Sequence, residues 1–194
     1  MLASITPLGE RSKGFSWGVT ATSFAVGAIL TGAFTGLVVG AIGSLFPVGE
    51  SWRTLALGAV LAAMVLFDAT SLGRQLPTSR RQVNEDWLGR YRGWVYGIGF
   101  GAQLGIGVVT IVTSAAIYAM LAVELLSSSP LISAAIGGAF GIVRAASLLP
   151  ARVASDRDGL MMLHGRLTRA EPSARRGLLL PELAALLIVL GWAA

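Results

Sequence analysis

Hydrophobic residues form five long runs along the chain, separated by short polar segments. The runs cover about 15–46, 54–72, 94–126, 131–149 and 178–194. A helix needs roughly 20 apolar residues to cross the hydrocarbon core of a bilayer, and the runs have about that length or more. The pattern therefore predicts an all-α, polytopic membrane protein with five transmembrane helices.

The first and third runs are longer than one crossing requires. Each would be about 48 Å long if it were fully helical, so we expect both helices to tilt, to bend at their glycines or to project beyond the bilayer. Neither run is long enough for two crossings and a turn. We therefore predict one long helix from each.

Basic residues are concentrated in alternate connections between the runs. Thirteen of the fifteen Lys and Arg residues lie in the N-terminal segment and in the segments 73–93 and 150–177; the exceptions are Arg53 and Arg144. Basic connections are retained on the cytoplasmic side of a membrane. We therefore expect a multi-pass protein of the cytoplasmic membrane, with the N-terminus and both segments in the cytoplasm and the C-terminus outside.

Two pairs of segments are similar to each other and indicate an internal repeat. Segment 14–19 aligns with 93–98, and segment 66–72 aligns with 142–148. We interpret the chain as two helix pairs, each a long helix followed by a short one, in the same orientation and related by a pseudo-two-fold axis along the membrane normal. The single membrane domain then divides into a cytoplasmic N-terminus (1–14), repeat one (15–72), an amphipathic cytoplasmic loop (73–93), repeat two (94–149), a cytoplasmic loop (150–177) and a C-terminal helix (178–194).

Small residues recur at every fourth position in three of the runs. Residues four apart share one face of a helix, and small side chains on that face let two backbones approach closely within lipid. We predict that these faces are helix–helix contacts; the alternative is that they line a narrow path or permit sliding. The glycines concerned are Gly32, Gly36, Gly40, Gly97, Gly101, Gly105, Gly137 and Gly141.

Asp68 and Arg144 are ionisable residues inside predicted spans, at equivalent positions of the two repeats. Charges within a membrane are costly and usually pair or face the protein interior. We predict that the two side chains pair, with a structural, gating or substrate-binding role, although Arg144 could instead extend to the inner surface. Gln103 is a third candidate for gating or substrate contact. Glu124 and Glu182 lie near predicted helix ends, where we expect them to face the interface.

The segment 73–93 is predicted to contain a helix on the membrane surface. Ser79 and Gln82 resemble a capping box, and apolar residues follow on one side of the helix. The alternative is that this segment binds a partner protein. The basic residues that we expect to contact anionic lipid headgroups are Arg80, Arg81 and Arg90.

The composition limits the chemistry that the chain can perform. It contains no cysteine and a single histidine, His164, so it lacks the residues for thiol chemistry and for a zinc or haem site. The sequence also has no nucleophile–base arrangement. We predict a protein that is not an enzyme, holds no metal or cofactor and does not bind nucleic acid.

The glycine-rich segment 97–105, with the sequence GIGFGAQLG, resembles the pseudo-repeated helices of the CcdA/DsbD transmembrane electron-transfer family and of the related LysE-type exporters. The resemblance implies a transporter-like architecture. Redox members of that family carry a Pro-Cys motif in each such helix, which neither long run contains here, so thiol electron transfer is assigned to no residue. The family also has six spans in inverted halves, unlike the parallel arrangement predicted here.

Two functions follow from these features. The first is a small permease or exporter without redox or hydrolytic chemistry, favoured by the repeat and by the ionisable residues within the spans. The second is a non-catalytic membrane subunit of a larger complex, favoured by the many small-residue faces and by the scarcity of polar residues. In either case the expected partners are the lipid bilayer and a second copy of the chain or another membrane protein.

Overall fold

The structure is a computed structural model that describes residues 5–46, 49–70, 87–109, 112 and 114–193. Within these ranges every regular element is helical, as the sequence predicts. A 3-10 turn at Leu149–Val153 separates the last two helices. In chain order the helices are α1 (Pro7–Ser12), α2 (Trp17–Ser44), α3 (Glu50–Ala69), α4 (Trp87–Arg90), α5 (Gly93–Ile106), α6 (Ala116–Ser127), α7 (Pro130–Ala146) and α8 (Arg157–Ala193).

Three helical segments are long and apolar enough to cross a membrane. These are α2, α3, and α7 together with the 3-10 turn that follows it. Large apolar side chains on them point away from the protein, including Phe34 at 67% exposure and Leu131 at 78%. Large exposed apolar surfaces mark contacts with a membrane or with another protein, which agrees with a membrane protein.

Helix α2 is the centre of the bundle and packs against α5, α6 and α7. Gly97 of α5 lies against Thr20, and Gly105 lies against Ala28, so α5 runs parallel to α2. By contrast, Gly141 of α7 lies against Ala28 while residues earlier in α7 meet later parts of α2, so α7 runs antiparallel. Helix α3 packs mainly against α8 and α6 rather than against α2.

The third hydrophobic run is not one long helix, contrary to the sequence prediction. Helix α5 ends at Ile106, Gly107 adopts a φ of +81°, and α6 begins at Ala116. Because this φ is readily adopted only by glycine, Gly107 permits the chain to leave the helix there. Helix α5 lies beside the first half of α2, while α6 reaches the second half at Gly43. The two short helices therefore form one interrupted path along α2.

The segment 150–177, predicted as a cytoplasmic loop, is largely helical. Helix α8 is continuous over 37 residues from Arg157 to Ala193, so the predicted C-terminal helix is only its second half. The Asp156 Oδ1 atom accepts a hydrogen bond from the Gly159 N–H at 2.7 Å near its start. Leu163 is buried in a core cluster with Ile5 and Ala154. Apolar contacts therefore hold the first half of α8 against the end of the bundle.

Most of the predicted surface helix lies outside the described residues, including Ser79, Arg80, Arg81 and Gln82. Its described end is α4, where the ring of Trp87 stacks on Phe100 with the centroids 6.3 Å apart. This contact attaches the end of the segment to α5.

Candidate functional site at the interrupted helix

The interruption between α5 and α6 leaves the first amide groups of α6 without acceptors in their own helix, as at any helix start. Asp68, in the last turn of α3, supplies one. Its Oδ1 atom accepts a hydrogen bond from the Ala115 N–H at 2.9 Å, and its Oδ2 atom accepts one from Ser114 Oγ at 2.6 Å. The Asp68 oxygens also lie at the positive end of the α6 dipole, where acceptor groups are favoured. Asp68 therefore fixes where α6 begins.

The predicted pair between Asp68 and Arg144 is wrong. Across the described ranges the one ion pair joins Lys13 to Glu10. The Arg144 guanidinium lies 5.1 Å from the centroid of the Phe140 ring, one turn earlier in α7, and its Nε atom is buried without a hydrogen-bond partner. The physical reason is that the two residues lie on helices that pack elsewhere: α3 packs against α8 and α6, whereas α7 packs mainly against α2.

Gln103, the third candidate, is half-buried on α5. Its side chain makes no hydrogen bond with any residue that the structure describes. The structure therefore brings Asp68 to the interruption but joins neither Arg144 nor Gln103 to it by a polar contact.

Glu182, on the second half of α8, was expected at the interface but is only 8% exposed. Its carboxyl interacts electrostatically with that of Asp68, while neither of its oxygens accepts a hydrogen bond from the described residues. Two carboxyl groups therefore lie together where α3, α6 and α8 meet. The sequence places these residues more than a hundred positions apart, so no local spacing could have predicted the contact.

Glu124 was also expected at the interface, and it is completely buried. It lies in the last turn of α6, between Gly36 of α2 and Gly137 of α7; a Cβ atom on either glycine would be 3.1 Å from Glu124 Oε1. Neither carboxyl oxygen has a hydrogen-bond partner among the described residues. One sequence signal could have singled it out, because Glu124 is the only acidic residue between positions 95 and 150.

The eight predicted packing glycines all lie at helix–helix crossings. A Cβ atom built on any of them would lie less than 3.0 Å from an atom of a neighbouring helix. At Gly101, for example, it would be 2.0 Å from the carbonyl oxygen of Phe24. The backbones therefore nearly touch, which is how small residues stabilise helix contacts in lipid.

A second polar cluster, which sequence reasoning missed, lies where α2 and α5 begin. The Tyr96 hydroxyl donates to the carboxylate of Glu10, and Thr20 Oγ1 donates to Glu10 Oε2 at 2.6 Å. Lys13 Nζ lies 3.8 Å from Glu10 Oε1 and 5.2 Å from the centroid of the Tyr96 ring. These contacts tie α1, α2 and α5 together, so we assign the cluster a structural role.

No protein-family model matches the sequence, and neither curated proteins nor solved structures show significant similarity to it.

Proposed function

We propose that the chain is a small permease or exporter of the cytoplasmic membrane, without redox or hydrolytic chemistry. The observation that carries this proposal is the interrupted path of α5 and α6 along α2. Non-helical backbone at membrane depth is tolerated only where protein buries it or where it lines a water-filled cavity. In many secondary transporters such discontinuous helices form the substrate and ion sites.

The proposed topology counts α5 and α6 together as one crossing and the second half of α8 as another, giving five with α2, α3 and α7. We propose a repeat of two helix pairs in the same orientation, which requires the parallel direction that α5 and α2 have. Basic residues favour a cytoplasmic N-terminus and an outside C-terminus, with headgroup contacts at Arg80, Arg81 and Arg90. The likeness of segment 97–105 to LysE-type exporters also favours a transporter-like architecture.

Within this proposal, Asp68 is the gating residue. Its hydrogen bonds to Ser114 and Ala115 hold the start of α6, so their release would free the half-helix to move. Arg144 and Gln103 are the proposed substrate contacts. The Arg144 Nε atom is buried without a hydrogen-bond partner among the described residues, and Gln103 is a half-buried polar residue of α5.

A non-catalytic subunit of a larger membrane complex is the second candidate, because α3 is poorly covered. Of its twenty residues, all of them described, only Leu61 is buried. Leu55 and Leu66 are about 60% exposed on its surface. A helix of a partner protein, or of a second copy of this chain, could pack on that surface.

Purification from the native membrane in a mild detergent separates the two functions. A permease should elute alone or as a homo-oligomer, whereas a subunit should bring a partner in fixed stoichiometry. Leu55→Trp on α3 should displace such a partner, while Leu30→Trp, at an exposed position of α2, serves as the matched control. The permease function would be contradicted if wild type retained a stoichiometric partner and only Leu55→Trp lost it.

Transport itself can be measured without knowing the substrate. Proteoliposomes are mixed with a hyperosmotic solution of one solute at a time, chosen from amino acids, small amines and small organic acids. The vesicles first shrink, and light scattering then reports how fast they reswell as the solute enters. We expect at least one solute to enter faster than in protein-free vesicles, and Asp68→Ala to change that rate. Equal rates with and without protein for every solute would count against the proposal.

A further inference from the structure

The Glu124 carboxyl occupies a closed space at the crossing of α2, α6 and α7. The side chain has no exposed surface, and its Oε1 atom approaches the backbone of Gly36 and Gly137. A Cβ atom on either glycine would crowd the carboxyl, at 3.1 Å from Oε1. It would also collide with backbone: a Cβ on Gly36 would lie 2.0 Å from Ser133 O, and one on Gly137 would lie 2.1 Å from Gly32 O. The two glycines therefore form the walls of a carboxyl-sized site.

The surroundings of this site favour a neutral carboxyl group. A carboxylate removed from water needs hydrogen-bond donors or an opposite charge, and the described residues offer the Glu124 oxygens neither. Helix α2 contains no charged residue. The ionisable groups on the other helices that pack against the site form no ion pair with Glu124 in the described ranges. They are Tyr118 on α6, Arg144 on α7, and Glu50, Arg53 and Asp68 on α3.

A group of serine hydroxyls lies between the backbone of Glu124 and the turn that joins α6 to α7. The Glu124 carbonyl oxygen accepts hydrogen bonds from Ser127 Oγ at 3.0 Å and from Ser133 Oγ at 2.7 Å. These two hydroxyls are 2.6 Å apart. Ser128 follows with a φ of 50° and donates to the Gly43 carbonyl at 3.4 Å. Glu124 is three residues from the end of α6, so its backbone lies only about 5 Å from the turn along the helix axis.

We propose that Glu124 is a proton-exchange site. Its carboxyl holds a proton in the packed structure and releases it to water at the α6–α7 turn when the contact between α2, α6 and α7 loosens. The step breaks and re-forms only the O–H bond: the acid becomes a carboxylate and water takes the proton. The use of this proton as a coupling ion rests on the proposed permease function, but the site itself does not.

Infrared spectroscopy of the whole protein in lipid tests the proposal. A protonated acid gives a C=O stretching band separate from that of carboxylates. We expect wild type to show such a band, shifting in D2O and disappearing reversibly as the pH is raised while the protein stays folded. Glu124→Gln should lack that component, whereas Glu50→Gln, at the exposed start of α3, should retain it.

Two infrared results would overturn the proposal. The first is that wild type and Glu124→Gln do not differ in the acid region at any pH. The second is an acid band that neither exchanges in D2O nor titrates before unfolding.

If Glu124→Gln does not fold, wild type is treated with a hydrophobic carbodiimide, which adds to a protonated carboxyl. The modified position is then found by mass spectrometry. An adduct at Glu124 whose yield falls with rising pH supports the site; modification of Glu182 without Glu124 refutes it.

The osmotic assay keeps the two proposals distinguishable. A titrating Glu124 band in a protein that carries no solute would refute the permease and leave the proton site. Solute entry in a protein whose Glu124 never titrates would refute the proton-exchange site and leave the permease function.

Discussion

Replacement of Gly137 by alanine tests the close packing of α2 and α7 most sharply, because the adjacent residue provides a matched control. A Cβ atom on Gly137 would lie 2.1 Å from the carbonyl oxygen of Gly32 and 2.8 Å from its carbon. On Gly138 the same atom would meet only the Cβ of Ala33, at an ordinary distance of 3.6 Å. Both changes add one methyl group to the same helix.

The expected cost follows from the distance by which the helices must separate. Ordinary contact begins at 3.4 Å, so Gly137→Ala requires the α2 backbone to recede by about 1.3 Å. Overpacking of a well-packed contact costs typically about 1–3 kcal/mol. Gly138→Ala should be neutral or slightly stabilising, because alanine is a better helix former than glycine.

Thermal unfolding of the detergent-solubilised protein and its unfolding by a denaturing detergent both measure this difference. We expect Gly137→Ala to have the lower midpoint, by about 2–4 °C for each kcal/mol in a chain of this length, and Gly138→Ala to match wild type. If both variants unfold together at the wild-type midpoint, the two backbones are not in contact and the packing described here is wrong.

Three further predictions concern other parts of the chain. Asp68→Asn and Arg144→Gln should have additive effects on the free energy of unfolding, because the two groups do not pair; a coupling above about 0.5 kcal/mol in a double-mutant cycle would contradict this. Tyr96→Phe should destabilise the protein by about 1–3 kcal/mol by removing a hydrogen bond to buried Glu10, whereas exposed Tyr91→Phe should not, as equilibrium unfolding can report. Single cysteines at positions 84 and 170 should resist an impermeant thiol reagent added outside intact cells, and labelling of either would overturn the proposed orientation.

The sequence predicted the helical class and the glycine positions because both depend on local pattern. Hydrophobic run length reports the membrane environment, and a four-residue spacing of small side chains reports one helix face. The break at Gly107 was not predictable in this way. The first half of the run 94–126 contains five glycines, at positions 97, 99, 101, 105 and 107. Of these, Gly107 alone has a positive φ, +81°, and no local pattern marks it as the one that ends a helix.

The roles of the acidic residues depended on contacts between distant parts of the chain. Asp68 was recognised as unusual, but its partner is the start of α6 rather than Arg144, and no pattern indicates that α6 starts at Ala116. Glu124 and Glu182 were placed at the interface from their positions near helix ends. Glu124 is buried because α2 and α7 cover the end of α6. Glu182 lies well inside the continuous helix α8 and is buried where that helix packs against α3.

The permease function is tested most directly by whether water reaches the interruption between α5 and α6 in a lipid bilayer. Single cysteines at Val108 and Val109, both partly exposed in the interruption, are compared with one at Phe34, which is 67% exposed on the outer surface of α2. A thiol surrounded by lipid stays protonated and unreactive, whereas one in a hydrated path forms the reactive thiolate. We expect a small, water-soluble thiol reagent to modify positions 108 and 109 but not 34. Equal protection of all three positions would contradict a hydrated path and remove the main support for a permease.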